Sequence, residues 1–327
     1  MPLKKYLISF LILFFSLLSI YSNVLAKEEY VWFADFETGD ISQWEPEGGW
    51  ISQDGGKKNA TELKIVDNPA LGKYSAGLTI DLNARGTSGG VAGYLFRWKD
   101  LPNNAYYYSA YYYIPSNIKP DNWWNIFQWK SNGGSRLYYL VNVAYKNGKL
   151  IPELHYHFGT PGGGNPAVFK QYGTPINLPT DRWFLLQGYF KQSKDQGEVA
   201  LFVDDTQLVW DVDGTPKKII DKYPTQVENK ETINWSINNY TDASNSFTPK
   251  KFTIYVDNAR ISVDRIKPLE SSNTFKEEDI NKDGTVNIID LVILVKDFGK
   301  PTSNYDITGD GKVGIDDILK LLNYLFS

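Results

Sequence analysis

From about Val31 to Val263 the chain runs in short stretches where apolar and polar residues alternate, rich in Tyr, Trp, Val and Phe and broken by Gly, Pro and Asn-Gly. Alternation with a period of two puts one set of side chains on each face of an extended segment, so the pattern predicts strands. The clearest stretches are Ala92–Lys99, Ala105–Ile114, Trp123–Lys130, Leu137–Tyr145, Leu150–Phe158, Trp183–Lys191, Glu198–Val203 and Lys251–Ser262. Asn147-Gly148 joins two of them and predicts a hairpin, because both residues tolerate positive φ. No long amphipathic helix stands out in this region. Many strands at this spacing predict an all-β fold, an antiparallel two-sheet sandwich of jelly-roll type over residues 27–263.

The two ends of the chain read differently. Lys4 and Lys5 precede an almost wholly apolar run from Tyr6 to Tyr21, and Val24-Leu25-Ala26 offers small residues for cleavage. Residues 1–26 are therefore read as an export signal, which predicts a secreted, extracellular protein with no membrane contact after cleavage. An uncleaved anchor is the alternative, since Leu7 to Ala26 is about as long as a bilayer core requires. Residues 264–276 contain Pro268 and Ser271-Ser272-Asn273 and read as a linker. Beyond them, over residues 277–327, the pattern changes to two loop-plus-helix units.

The first unit places oxygen-bearing residues at the calcium-loop positions: Asp279, Asn281, Asp283, Asn287 and Asp290, with Gly284 at the sharp turn and Thr285 offering its backbone carbonyl. A second copy begins 27 residues later with Asp306, Thr308, Asp310, Lys312 by its carbonyl, and Asp317. Each loop opens an apolar helix, carrying Leu291, Val292, Leu294, Val295 and Phe298 in one and Ile318, Leu319, Leu322, Leu325 and Phe326 in the other. Neither helix can bury an apolar face alone, and the repeat supplies the partner.

This duplicated loop and helix resembles a dockerin domain, the module that attaches polysaccharide-degrading enzymes to cohesin domains. The resemblance covers Glu278–Ser327. It implies two bound Ca2+ ions and, as partner, a cohesin domain of a scaffold or cell-surface protein; a calcium-stabilised tail without a cohesin is the alternative. Thr308 and Gly314 make the second loop poorer in ligands than the first, and Ile288-Ile289 and Ile315-Asp316 replace the Ser/Thr pairs of familiar dockerins.

Composition narrows the chemistry of the body. The chain has 34 basic and 38 acidic residues, a formal charge of −4, which argues against a broad nucleic-acid surface. It has no cysteine, which excludes disulfides, thiolate metal sites and cysteine nucleophiles together. Aromatic residues reach 15%, and all ten Trp lie between Trp32 and Trp235. Such an excess fits strand packing as well as sugar stacking.

No E-x-D-x-x-E stretch, the paired-carboxylate signature of laminarinase-type sandwiches, occurs in the chain. The two histidines of the protein, His155 and His157, fall in one predicted strand. With Glu153 they share one face of it, while Leu154, Tyr156 and Phe158 take the other. Similar polar faces are expected from Gln128 with Lys130, and from Gln187, Tyr189 and Lys191. A sheet face bearing His, Tyr, Gln and Lys suits an acidic sugar: cations and amides offset its carboxylate, and His or Tyr takes the adjacent proton. Ordinary surface histidines are the alternative.

Tyr106–Lys130, with Tyr111-Tyr-Tyr-Ile-Pro-Ser-Asn, Asp121-Asn-Trp-Trp and Phe127-Gln-Trp-Lys130, resembles the heparin-lyase-like jelly rolls, which are concanavalin-like sandwiches. Asp181-Arg-Trp183, Tyr189-Phe-Lys191, Gly197-Glu-Val199 and Phe202-Val-Asp-Asp205 extend the resemblance. It implies a polysaccharide lyase that cleaves a uronic-acid-containing polymer by β-elimination, with His155, His157, Tyr189, Lys191, Gln128 and Lys130 as candidate site residues. In that group a His often follows the Gln-Trp pair, where Lys130 stands here. A non-catalytic carbohydrate-binding protein and a glycoside hydrolase are the alternatives. Asp35 or Glu37 near the first strand and Asp257 near the last are a candidate set for a structural calcium in the sandwich.

Overall fold

The computed structural model describes residues 30–54, 59–84, 89–98, 100–131, 137–159, 166–195, 197–227, 232–242, 247–269, 278, 280, 286–300 and 305–325. The export signal and Asp279, Asn281, Asp283 and Thr285 of the first calcium loop lie outside them. In chain order the strands are β1 (Tyr30–Ala34), β2 (Gly48–Asp54), β3 (Thr61–Val66), β4 (Ser75–Asp81), β5 (Gly90–Arg97), β6 (Ala105–Tyr113), β7 (Lys119–Pro120), β8 (Trp124–Ser131), β9 (Leu137–Lys146) and β10 (Lys149–Phe158). They continue with β11 (Ala167–Phe169), β12 (Trp183–Lys191), β13 (Glu198–Val203), β14 (Thr206–Gln207), β15 (Trp210–Val212), β16 (Thr215–Lys217), β17 (Ile233–Asp242), β18 (Phe247–Thr248) and β19 (Lys251–Ser262). Two helices follow, α1 (Ile288–Lys296) and α2 (Ile315–Leu325).

Two antiparallel sheets form the sandwich. The first runs β14-β13-β12-β6-β19-β4-β3, with β1 also paired to β19; the second runs β11-β10-β9-β8-β17-β5-β2. The fold is all-β and jelly-roll-like over this region apart from one 3-10 turn at Ser42–Trp44, and among the described residues the α-helices fall in the C-terminal module. Asn147 and Gly148 adopt φ of 52° and 77° between β9 and β10, the conformation that a two-residue hairpin turn requires.

The sheets meet through the inward set of each alternating strand. In β6, Tyr106, Tyr108, Ala110 and Tyr112 enter the core, while Tyr107, Ser109, Tyr111 and Tyr113 face away from it. Trp44, Trp124, Trp129, Trp210 and Trp235 are fully buried, so much of the aromatic excess is packing. Trp129 of β8 lies over Gly188 of β12 in the facing sheet, where a Cβ would come within 2.2 Å of the indole. Glycine there makes room for the largest side chain of the layer.

Beyond β19, the first residues of the predicted linker remain packed. Ile266 is buried with Tyr111 and Leu185 on the outer face of the first sheet, with Leu269 and Trp183 beside them. The Leu269 N–H donates to the Tyr111 hydroxyl at 2.6 Å.

In the C-terminal module, Leu291 and Leu294 of α1 and Leu321 of α2 pack with Ile280 and Val313 in a separate small core. Asn287 caps α1: its side chain accepts from the Ile289 N–H, and Asp290 accepts from the Asn287 N–H. Val292, Val295 and Phe298, expected to help pair the helices, are instead exposed with Ile289. Among the described residues α1 has one helical neighbour, α2, which covers only one of its sides.

Candidate functional site

Alternation along β10 puts Leu154 and Tyr156 in the core and Glu153, His155 and His157 on the outer face of the second sheet. The register with β9 and β8 extends that face as rows of directly opposed residues. His157 stands opposite Tyr138, and Tyr138 opposite Lys130. His155 stands opposite Leu140, and Leu140 opposite Gln128. Glu153 stands opposite Asn142, and Asn142 opposite Asn125. The strands of one sheet lie about 4.8 Å apart, so each row places its end members about 10 Å apart.

The charges on this face have partners that fix their state. Glu153 accepts from the Lys146 ammonium at 2.9 Å and lies 3.5 Å from His155 Nε2. Hydrogen bonding to His155, and then to Lys146, depresses its carboxyl to about 2 despite partial burial. The ring of His157 stacks nearly parallel to that of His155 at 6.3 Å. Burial, and then the neighbouring His155, hold His157 below the ordinary imidazole range, so it is neutral at pH 7 with a lone pair to offer. The Lys130 ammonium sits 5.6 Å from the centre of the Tyr138 ring.

The floor of this face is made of amides. A register shift in β8 between Asn125 and Phe127 turns Asn125 outward, where it donates to Asn142 at 3.0 Å. Asn238 of β17 donates to Asn125 and accepts from Ser236. Gln128, Asn125, Asn142 and Asn238 are all buried although they belong to the outer face, so this surface is recessed beneath taller side chains. On the β5 side the recess continues as an aromatic cluster separate from the core. Tyr94 packs against Phe96 at 5.2 Å and Tyr240 at 5.4 Å, and Trp123 meets Tyr240 edge-on at 5.0 Å. Burial raises the hydroxyls of Tyr94 and Tyr240, which makes them hydrogen-bond donors rather than bases at neutral pH.

The structure divides the six residues expected to share one face. His155, His157, Gln128 and Lys130 come together on the second sheet. Tyr189 and Lys191 stand on the outer face of the first sheet, on the far side of the sandwich, because β12 pairs with β6 and β13 and meets the second sheet only through its inward residues such as Gly188 and Phe190. There Tyr189 packs on Tyr107 at 5.1 Å and Lys191 pairs with Glu198 at 2.5 Å. Gln187, also of β12, is buried on that same far face. Tyr138, Asn125, Asn142 and Asn238 were not legible as site residues, since only the cross-strand register reveals them.

Asp257 is buried at the bulge of β19, accepting from the Leu71 and Asn258 N–H groups. Burial raises its carboxyl to about 8; those two bonds oppose the rise, and Glu37 and Asp35 nearby add to it. Asp35 and Glu37 in turn accept from Gln43 and from the Lys73 and Tyr74 N–H groups. Their oxygens do not close with Asp257 into one ligand group. Among the described residues the acids that do so are Asp306, Asp310 and Asp317, whose oxygens lie within 4.8 Å of one another. Burial would raise Asp306, but the Gly311, Gly309 and Asp310 N–H groups outweigh it and hold the carboxyl low. Asp317, likewise, is held low by the Gly314 N–H and Thr308 against burial. Thr308 and Lys312 complete this oxygen-only set, which fits a hard cation such as Ca2+. In the first loop, Asn287 and the fully buried Asp290 are in place at its C-terminal end.

Comparison with models of known families matches residues 277–326 to the dockerin type I domain. The C-terminal module is a dockerin type I domain. No curated protein matches the chain. Among solved structures, the chain resembles alginate lyase vAL-1 from Chlorella virus at 13% identity and a TM-score of 0.43, over 72% of this chain and 100% of that one. It also resembles the catalytic domain of a glycoside hydrolase family 131 protein from Coprinopsis cinerea, at 12% identity and a TM-score of 0.38, over 73% of this chain and 96% of that one. The carbohydrate-binding module CBM66 from Bacillus subtilis is similar at 11% identity and a TM-score of 0.31, over 65% of this chain and 95% of that one.

Proposed function

We propose that the sandwich is a polysaccharide lyase that cleaves a uronic-acid-containing polymer at the recessed face of the second sheet. The observation that carries this reading is the row His157, Tyr138, Lys130, which sets a neutral imidazole, a phenol and a cation in register on one face. Lys130 and Gln128 bind the uronate carboxylate and offset the charge that grows on it as the adjacent carbon loses its proton. His157 takes that proton. The electron pair forms a double bond to the neighbouring ring carbon, the glycosidic C–O bond breaks there, and the leaving oxygen takes a proton from the Tyr138 hydroxyl. The reaction consumes no cofactor. Burial of Tyr94 and Tyr240 favours the imidazole over those phenols as base. Their rings, with Trp123, give the chain of sugars an apolar surface to lie on.

The dockerin module attaches this unit to a cohesin on a scaffold or cell-surface protein. Ca2+ at Asp306, Thr308, Asp310, Lys312 and Asp317, and in the first loop at Asp279, Asn281, Asp283, Thr285, Asn287 and Asp290, would neutralise clustered carboxylates and hold the helix starts. The exposed stripe Ile289, Val292 and Val295 on α1, with Phe298 just beyond its end, supports an apolar docking surface.

A second reading, a binding module without catalysis, is favoured by one observation: the amide floor and aromatic cluster suit sugar binding whether or not a proton is removed. Incubation with a panel of uronic-acid polysaccharides separates the two. The lyase reading expects ultraviolet absorbance from the new double bond together with new reducing ends. Reducing ends without absorbance would indicate hydrolysis, and retention on the polymer without either would leave the binding module.

A further inference from the structure

The outer face of the first sheet buries polar groups where a sheet face ordinarily meets water. Ser109 of β6 stands directly opposite Gln187 of β12, and Gln187 opposite Phe202 of β13. Ser109 is 0% exposed and Gln187 1%. The Ser109 hydroxyl and both polar atoms of the Gln187 amide are buried and have no hydrogen-bond partner. Buried polar groups left unpaired carry a desolvation cost that water removes, so a cover over them is held less firmly than one over an apolar surface.

Residues 264–269 reach the neighbours of this pair on several sides. Burial raises the Tyr107 hydroxyl, Arg265 lowers it and Asp264 raises it, which sets both charges near that ring, two places before Ser109 on β6. The Arg265 guanidinium lies 4.8 Å from the centre of the Phe202 ring. Ile266 packs with Leu185 and Tyr111, each two places from a member of the pair and on the same face. The segment therefore crosses the sheet above Ser109 and Gln187. Its own hold is slight: of these six residues only Ile266 is buried. Arg265 pairs with Asp205 at 2.6 Å at the surface, where an ion pair contributes little. The Leu269 N–H donates to the Tyr111 hydroxyl at the far end.

We infer that residues 264–269 are a detachable strap, which opens from the first sheet while the sandwich stays folded and lengthens the chain leading to the dockerin module. Opening removes Ile266 from its apolar contacts but gives water to the Gln187 amide and the Ser109 hydroxyl, and these effects oppose each other. Six released residues add up to about 20 Å of reach. The test is hydrogen exchange of the full chain read by mass spectrometry, comparing peptides that cover residues 263–269 with peptides from β6 and β12. The strap should exchange at least about tenfold faster than the strands, as a local opening does. Gln187→Met keeps an unbranched side chain of similar length and removes both unpaired atoms, so it should slow exchange of the strap about tenfold. Tyr111→Phe keeps the ring and removes the acceptor of the Leu269 N–H, so it should speed that exchange. The inference is overturned if the strap exchanges only in step with the strands, or if Tyr111→Phe exchanges no faster than the parent. Unchanged or faster exchange in Gln187→Met would also overturn it, since that is the result expected if water already pairs with the amide beneath a closed strap.

Discussion

Two carboxylates in the sandwich show how far environment decides what a residue does. Glu153, beside His155 and hydrogen-bonded to Lys146, is held ionised down to about 2, whereas Asp257, buried and facing other acids, is pushed up to about 8. The unfolded chain releases the Asp257 proton near 3.8, so between about 4 and 8 the folded state holds a proton that the unfolded state has lost. Its effect on stability is therefore most favourable below that window and declines as pH rises through it. In the presence of a chelator, Asp257→Asn should melt with a flatter pH dependence than the parent across this range, the gap widening toward the alkaline end. Parallel melting curves would contradict the assignment. The sharing of one face by Glu153, His155 and His157 was legible from the sequence, because the strand period alone decides it. The grouping of Tyr189 and Lys191 with them was not, because that depends on which strands are neighbours across the sheet.

At the level of elements, legibility followed the hydrophobic pattern. Trp183–Lys191, Glu198–Val203 and Lys251–Ser262 are strands with the bounds that alternation predicts. The central strand β17 escaped because its outward residues are Asn234, Ser236, Asn238 and Tyr240 and its inward set includes Asn239, so no apolar alternation marks it. Asn239 is tolerated inside because it accepts from the Trp124 indole at 2.9 Å and donates to the Leu78 carbonyl of the facing sheet at 2.9 Å. The linker reading, drawn from Pro and Ser content, missed that Ile266 and Leu269 still pack on the sandwich. The fit between the two sheets also sets a prediction. Gly188→Ala places a methyl group within 2.2 Å of Trp129, which is stacked on Phe190 at 5.0 Å and has nowhere to retreat. Overpacking of this kind costs about 1–3 kcal/mol, and the melting temperature of the sandwich should fall by several degrees. An unchanged melting temperature would show that the sheets separate more easily than this packing implies.

Across the whole molecule, the two outer faces of the sandwich divide the work. The second sheet carries the recessed face with its imidazoles, lysine and aromatic cluster. The first sheet carries Tyr189 and Lys191 and, on the same side, the packed start of the linker at Ile266 and Leu269. The last described residues before the dockerin module, through Leu269, thus lie on the side opposite the proposed reaction. The central claim is that elimination occurs on the second sheet. It is tested most directly by measuring unsaturated product from one uronic-acid polysaccharide with His157→Ala and Tyr189→Phe, while retention of each variant on the same polymer is followed. The account predicts that His157→Ala loses about 10²–10⁴-fold in turnover, the usual contribution of a general base, yet is still retained, and that Tyr189→Phe turns over like the parent. Full turnover in His157→Ala, or its loss in Tyr189→Phe, would contradict the account and move the reaction to the other face.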